Sequence, residues 1–139
     1  MKRRFLVDTN VVLDLLLARE AFYLDALQIF AMAEAGKVEL LLSTDAVSTI
    51  YYVVAKNRGA SAGRQAVLTL LDYVSLAALD ERCVLDAVAL EFTDIEDALV
   101  AAVAHKSGVS GIITRNGKDF FGSPVPAISP REFLALGCW

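Results

Sequence analysis

Five short apolar segments alternate along the chain with longer segments of helical periodicity, and this alternation constrains the fold more than any other feature. We predict strands at residues 4–7, 38–42, 75–79, 111–114 and 125–128. Strands that are apolar throughout, rather than at every second position, are typical of parallel sheets covered on both faces. We therefore expect an α/β fold of three layers, in which a mostly parallel sheet of about five strands lies between two layers of helices.

The segments between these strands have apolar residues at the spacing of one helix face. We predict helices at residues 10–19, 23–35, 46–56, 61–73, 81–91 and 95–107, and a last helix that begins at Ser129-Pro130. Acidic residues precede three of these helices in the N-cap position, and these are Asp45, Asp80 and Asp94.

The length of 139 residues predicts one domain, spanning residues 1–139. No apolar run approaches the roughly 18 residues of a membrane span, and too few apolar residues follow the basic start MKRR for a signal peptide. Cys83 and Cys138 lie far apart and match no metal spacing, so we expect two reduced thiols. Together these features predict a cytoplasmic protein without a membrane segment.

The net charge of −4 argues against a protein that binds nucleic acid through a broad basic surface. The exception would be a protein whose acidic residues gather in a metal site, where a cation reverses the local charge. His105 is the single histidine of the sequence, which excludes a histidine-rich zinc site.

Acidic and amide side chains stand near the ends of predicted strands and at a helix start. Asp8 directly follows the first strand, and Asn116 comes just after the fourth. Asp94 and Asp97 open the helix that leads into the fourth strand. Ligands of parallel sheets bind beyond the carboxyl ends of the strands, and helix starts can lie on the same rim. We therefore expect these four side chains near one edge of the sheet.

Some of these residues also have a purely structural explanation. Asp94 fits an N-cap, and the turn that contains Asn116 could serve only to join two strands. Asp97 is harder to explain in this way, because the helical residues that follow it are almost all apolar, which predicts a buried helix. An aspartate on the first turn of such a helix would point into the protein or line a pocket. Taken together, several oxygen ligands suit Mg²⁺, which keeps waters and is completed by phosphate oxygens. Hydrolysis of a phosphodiester is the chemistry that needs such a site.

Three motifs, in this order and spacing, resemble the PIN domain family over essentially the whole chain. They are FLVDTNVVLD at the start, DIEDALVAAVAHKSGVSGIITRN in the third quarter, and GKDF just after it. The resemblance implies a nuclease that depends on Mg²⁺ or Mn²⁺ and has a parallel sheet between helices. Many small prokaryotic members are VapC-like toxins, whose paired antitoxin blocks the RNA-cutting site. The resemblance therefore also implies an RNA substrate, an antitoxin partner and a homodimer.

The resemblance assigns roles to individual residues. Asp8 and Asp97 match acidic residues of the family motif, and with Asp94 they are the candidate metal ligands and catalytic residues. Asn116, also a candidate catalytic residue, stands where many members have a further aspartate, and Asp119 is a second candidate for that place. The residues implied to hold the carboxylates by hydrogen bonds are Thr9, Asn10 and Thr114.

One position departs from the family pattern. Most members have a glutamate on the helix after the second strand, and the corresponding residue in this chain is Thr49. Asp45, one helical turn earlier, or Asp94 could substitute for the missing carboxylate. The chain is similar in this respect to a PIN subgroup with Thr-Ile-Tyr-Tyr at this place. Fewer negative ligands predict weaker metal binding.

We therefore expect a metal-dependent endoribonuclease that is the toxin of a type II toxin–antitoxin pair. The candidate phosphate contacts are Arg115 and Lys118, with a further basic group of Lys56, Arg58 and Arg64. The alternative is a PIN-fold module of weak or absent activity that acts by binding protein or RNA. An aspartyl-phosphate phosphatase would need a second aspartate two residues after Asp8, and position 10 is asparagine.

Overall fold

Within residues 2–137, which the computed structural model describes, five strands form one parallel sheet. The strands are β1 (Arg3–Val7), β2 (Val38–Ser43), β3 (Val74–Ala77), β4 (Gly111–Ile113) and β5 (Ala127–Ile128). Their order is β3-β2-β1-β4-β5, and every neighbouring pair is parallel. Because β1 is central and pairs with β4, the residues that follow these two strands lie side by side.

Seven α-helices and one 3₁₀ helix lie between or after the strands in this part of the chain. They are α1 (Thr9–Leu16), α2 (Tyr23–Glu34), α3 (Ala46–Arg58), α4 (Ala60–Leu70), α5 (Glu81–Ala89), α6 (Ile95–Ser107), the 3₁₀ helix (Gly117–Phe120) and α7 (Pro130–Leu134). Phe5 and Val7 of β1 pack in one core with α1 to α4 and α7, whereas Leu6 packs in a second core with α5 and α6. Helices thus cover both faces of the sheet, and the predicted three-layer α/β fold is confirmed.

Helix α6 is fixed to the sheet along most of its length. Its buried side chains are small, mostly alanines, and they pack with Leu6 and Ile112 in the second core. Asp94 caps the helix by accepting a hydrogen bond from the Glu96 N–H at 2.8 Å, and Gly108 ends it with a φ of 66°. The first turn of α6, which carries Asp97, is therefore held in place from both ends.

Several predicted boundaries differ from the structure. The first helix ends at Leu16 rather than at residue 19, because the chain turns at Ala18 with a φ of 49°. The third strand is Val74–Ala77, and the last one contains only Ala127–Ile128. The segment predicted as a polar turn after the fourth strand contains the 3₁₀ helix Gly117–Phe120.

Two further predictions concern cysteines and membranes. Cys83 is a buried free thiol in the second core, whereas Cys138 lies outside the described residues. Among residues 2–137, no helix is long and apolar enough to cross a membrane.

Gly111 lies in β4 at a point where a side chain would not fit. A Cβ atom there would be 3.1 Å from a ring carbon of Phe5 and 3.3 Å from the carbonyl oxygen of Pro126. Phe5 itself packs edge-to-face on Phe133, with ring centroids 4.9 Å apart, so it has little room to move. We expect Gly111→Ala to lower the free energy of unfolding in urea by about 1–3 kcal/mol. Gly117→Ala is the control, since a Cβ there meets no atom within 4 Å; equal effects of the two changes would contradict this packing.

Candidate active site

Asp8 lies where β1 ends and α1 begins, and its carboxylate caps the helix. Its backbone N–H donates to the carbonyl oxygen of Ile113 on β4 at 2.9 Å, which ties the residue to the neighbouring strand. Its Oδ1 accepts a hydrogen bond from the Thr9 N–H at 2.8 Å. Since only 8% of Asp8 is exposed, its carboxylate is a buried group with partners and not a surface charge.

Thr114 follows β4, is fully buried and contacts Asp8 directly. Its hydroxyl donates to Asp8 Oδ2 at 2.8 Å and accepts from the Asn116 N–H at 3.1 Å. Asn10 Nδ2 lies 3.4 Å from both Asp8 Oδ2 and Thr114 Oγ1. The residues predicted to hold the Asp8 carboxylate therefore all contact it, although Thr9 does so through its backbone N–H and not its hydroxyl.

A cleft of about 530 Å³ opens beside Asp8, and we call it the carboxylate cleft. The residues predicted from the sequence that line it are Asp8, Thr9, Asn10, Thr49, Asp94, Asp97, Asn116 and Asp119. They come from the start of α1, from α3, from the start of α6 and from the segment after β4. The strand ends and the helix starts thus share one rim, as expected for a parallel sheet.

Asp45, a predicted substitute for the missing carboxylate, and Glu96, which was not predicted, also line this cleft. Asp45 precedes α3, but its side chain makes no cap hydrogen bond and accepts one from the Ser43 hydroxyl. The prediction that this carboxylate caps α3 is therefore wrong. Glu96 lines the cleft from the first turn of α6, and Arg19 is the one basic residue in the described lining. The cleft is thus strongly acidic.

Asp97 is the carboxylate whose pKa is most clearly affected by its neighbours. Its pKa is raised to about 6, first by desolvation and then by the negative charges around it. Those charges belong to Asp94, Asp8, Asp119 and Glu96. Residues at the end of β1, at the start of α6 and in the 3₁₀ helix therefore lie close enough to share one electrostatic field.

Asp8 is also affected, and here two causes oppose each other. Burial raises the pKa of Asp8, whereas the hydrogen bonds that it accepts from Thr114 and Thr9 lower it; burial is the larger effect. The charges of Glu96 and Asp45 raise its pKa further. A cation in the cleft would relieve both the desolvation and the repulsion.

The donor atoms of the cleft suit a hard divalent cation that keeps part of its hydration shell. Among residues 2–137, no three acidic, histidine or cysteine side chains converge into a ready-made metal cage. Hard cations such as Mg²⁺ are commonly held without one, by one or two carboxylates, waters and substrate phosphates. The oxygen ligands on offer are the carboxylates of Asp8, Asp94 and Asp97 and the side-chain amide of Asn116. These residues fit such an ion.

Arg115 does not line the carboxylate cleft, because its guanidinium is bound by Asp14 of α1. Its Nε and Nη2 donate to the two carboxylate oxygens of Asp14 at 2.6 and 3.1 Å. The guanidinium also lies 3.9 Å from the ring centroid of Phe22. The structure thus gives Arg115 an ion-pair partner outside the carboxylate cleft, and its role as a phosphate contact stays a prediction.

Asp14 itself is a residue that the sequence predictions missed. It is 1% exposed and also pairs with Arg19 at 3.4 Å. The sequence feature that could have identified it is a carboxylate inside the apolar run VVLDLLL. If that run is buried, the carboxylate needs a cationic partner.

Lys118 lines a second cleft of about 650 Å³, which we call the adjoining cleft. The two clefts share three carboxylates, those of Asp94, Asp97 and Asp119. Lys118 therefore stays a candidate phosphate contact. The basic group predicted on α3 and α4 is absent from the described lining of both clefts, and this group is Lys56, Arg58 and Arg64.

The family model for the PIN domain matches residues 4–118 of this chain. The chain belongs to the PIN domain family. It is 27% identical over 131 residues to Ribonuclease VapC1 of Aquifex aeolicus, which covers 91% of this chain and 90% of that relative.

Solved structures of other proteins share the fold of this PIN domain. A toxin–antitoxin complex from Klebsiella pneumoniae contains a chain with a TM-score of 0.67 and 26% identity, covering 90% of this chain and 96% of that one. A chain of DNA-bound VapBC from Salmonella typhimurium has a TM-score of 0.73 and 14% identity, and the match covers 94% of this chain and 99% of that one. The PIN fold thus extends over nearly all of the chain.

Breaking the pair of Asp14 and Arg115 should cost much stability, because it leaves a largely buried guanidinium without its partner. We expect Asp14→Ala to lower the free energy of unfolding by about 3 kcal/mol, measured by urea denaturation. Asp86→Ala is the matched control, since Asp86 pairs with Arg82 at 3.2 Å on the exposed surface of α5, and it should cost less than about 1 kcal/mol. A small effect of Asp14→Ala would contradict a stabilising role for this pair.

The raised pKa of Asp97 predicts a pH dependence of stability in metal-free protein. Between about pH 4 and 6 the folded state keeps a proton on Asp97, whereas the unfolded chain, with the ordinary pKa of 3.8, has released it. Raising the pH through this window therefore removes stability, by about 1 kcal/mol after allowance for solvent screening.

Urea unfolding in EDTA across pH 4–7 measures this effect. Asp97→Asn should remove this part of the pH dependence, whereas the exposed control Asp72→Asn should keep it. Identical pH profiles for the wild type and Asp97→Asn would show that Asp97 does not titrate in this window.

Proposed function

We propose that this PIN domain is a metal-dependent endoribonuclease, which hydrolyses RNA phosphodiester bonds and acts as the toxin of a type II toxin–antitoxin pair. The observation that carries the proposal is the convergence of Asp8, Asp94 and Asp97 on one cleft beside the central strands of a parallel sheet. Membership of the family and the similarity to Ribonuclease VapC1 support it.

In this proposal the carboxylates of Asp8, Asp94 and Asp97 hold Mg²⁺ or Mn²⁺, with the side-chain oxygen of Asn116 as a further ligand. When bound, such an ion stabilises the charge that develops on the phosphate and makes water a better nucleophile at neutral pH. In the metal-free cleft the pKa of Asp97 is about 6, so the carboxylate is mostly ionised at neutral pH and can serve as a ligand.

The other residues of the cleft orient these ligands and the RNA. Thr114 fixes the direction of Asp8 Oδ2 through its hydroxyl, and Asn10 keeps the start of α1 beside the end of β4. Asp119 and Thr49 form parts of the wall. Lys118, on the adjoining cleft, would contact a phosphate of the same RNA strand.

The proposal includes protein partners. A toxin of this kind would bind an antitoxin, and the similarity to chains in a toxin–antitoxin complex and in VapBC supports this partner. A homodimer and a single domain over residues 1–139 complete the proposal, the first from the family resemblance and the second from the length. A toxin that cuts cellular RNA would act in the cytoplasm.

One observation favours a second candidate function, a module that binds RNA or protein without cutting. Thr49 occupies the place of the usual glutamate and offers no carboxylate to the cleft. Against this reading, Asp45 and Glu96 bring further negative charge to the same cleft. This additional negative charge supports a metal site in the absence of the usual glutamate.

Cleavage of single-stranded RNA by the purified protein tests the proposal. We expect cleavage with Mg²⁺ or Mn²⁺ and none in EDTA. Asp8→Asn should lower kcat/KM by at least about 100-fold, since changes to residues that merely support metal ligands already cost 10–100-fold. Asp72→Asn, which replaces an exposed aspartate outside the described lining of the cleft, is the matched control and should cleave like the wild type.

Cleavage that survives both EDTA and Asp8→Asn would overturn the metal-dependent mechanism. If the wild type neither cuts RNA nor binds Mg²⁺ or Mn²⁺ at millimolar concentration in calorimetry, the binding module is the correct reading.

A further inference from the structure

Phe121 is the most exposed large apolar side chain of residues 2–137, with 93% of its surface open to solvent. It directly follows the 3₁₀ helix Gly117–Phe120. An aromatic ring in this state gains nothing from the hydrophobic effect, which rewards only apolar area removed from water. A ligand that covers the ring would remove this apolar area from water.

The backbone around Phe121 is well anchored, so the exposure does not come from an unsupported loop. The preceding Phe120 is buried and packs edge-to-face with Phe92, with ring centroids 6.3 Å apart. The Ser123 N–H donates to the Phe120 carbonyl at 2.9 Å, which closes a turn across Phe121. Gly122 has a φ of 87°, a conformation that favours glycine and lets this turn form. The exposed ring thus stands on a fixed base.

Phe121 also lies beside the candidate catalytic residues. It lines the adjoining cleft together with Lys118, and that cleft shares Asp94, Asp97 and Asp119 with the carboxylate cleft. An exposed aromatic ring and a cation thus stand next to the carboxylates proposed to act on a phosphodiester. Single-stranded nucleic acid is bound by this combination, in which bases stack on aromatic side chains and phosphates contact basic ones.

We propose that Phe121 is a stacking platform for one base of a single-stranded RNA substrate, with Lys118 contacting a phosphate of the same strand. The proposal rests on the RNA-cutting function proposed above and names a residue that positions the substrate, which must be unpaired there because a base within a duplex is already stacked on both faces. A ring has a face for any base, so the contact selects single strands more than sequences. Phe121 is a substrate-positioning residue in this scheme and takes no part in bond cleavage.

Steady-state cleavage of a single-stranded oligoribonucleotide gives the first test. Phe121→Ala should raise KM by about 5- to 150-fold, the range that loss of one base–aromatic contact produces, while kcat changes little. Phe121→Trp should have a KM close to that of the wild type, because the indole stacks as well. Phe121→Leu, which is apolar but not aromatic, should have a raised KM like that of Phe121→Ala. Leu85→Ala is the control, because Leu85 is 58% exposed on α5 and lines neither cleft.

A series of oligonucleotides with a single abasic position locates the stacked base. The wild type should bind one of the abasic oligonucleotides more weakly than the intact one, because the stacked base is missing. Phe121→Ala should bind that abasic oligonucleotide and the intact one equally well. If the loss of affinity from the missing base and the loss from Phe121→Ala simply add at every abasic position, the proposal is overturned.

Binding without cleavage separates this inference from the proposed function. In the Asp8→Asn background, fluorescence anisotropy with a labelled single-stranded oligoribonucleotide should show about 5- to 150-fold weaker binding when Phe121→Ala is added.

If the wild type cuts RNA but Phe121→Ala binds and cuts like Leu85→Ala, the stacking platform is wrong while the ribonuclease stands. If Asp8→Asn binds RNA through Phe121 but the wild type cuts nothing, the platform stands while the ribonuclease is wrong. Equal rescue by Phe121→Leu and Phe121→Trp would also overturn the platform, because it would show that an apolar side chain without an aromatic ring is enough for RNA binding.

Discussion

The hydrogen bond from Thr114 to Asp8 is the interaction on which the candidate site depends, because it joins the ends of two neighbouring strands at the centre of the sheet. Parallel pairing places Val7 of β1 opposite Ile113 of β4, and the next residues of the two strands are Asp8 and Thr114. A buried carboxylate is costly without partners. The hydroxyl of Thr114 offsets this cost, and it fixes the direction of one carboxylate oxygen at the same time.

The acidic cleft shows how packing can hold groups together that repel one another. Asp97 and Asp94 are kept at the start of α6 because the rest of that helix is buried against the sheet. Asp8 is kept at the end of β1 because the strand lies between the two cores. The apolar contacts that stabilise the fold thus maintain a cluster of charges that would separate if the chain were free to move.

The sheet, the helices and most of the cleft could be predicted because their signals are local. Continuously apolar strands indicate a parallel sheet, and a parallel sheet brings the residues after its strands to one edge. The contact of Asp14 with Arg115 could not be predicted in this way, because 101 residues separate the partners. The pattern before α3 suggested a cap at Asp45, but the nearby hydroxyl of Ser43 binds that carboxylate, and such competition depends on side-chain conformation.

The ion pair of Asp14 and Arg115 affects the charge that a polyanion would meet at this edge of the sheet. Asp14 binds the guanidinium of Arg115 outside the carboxylate cleft. The described lining of that cleft has Arg19 as its one cation, and Arg19 also pairs with Asp14. Without a bound cation, RNA approaching this edge would be repelled at long range. Its association with the metal-free protein would therefore speed up as ionic strength rises and screens the repulsion, whereas a divalent cation in the cleft would reverse the local charge.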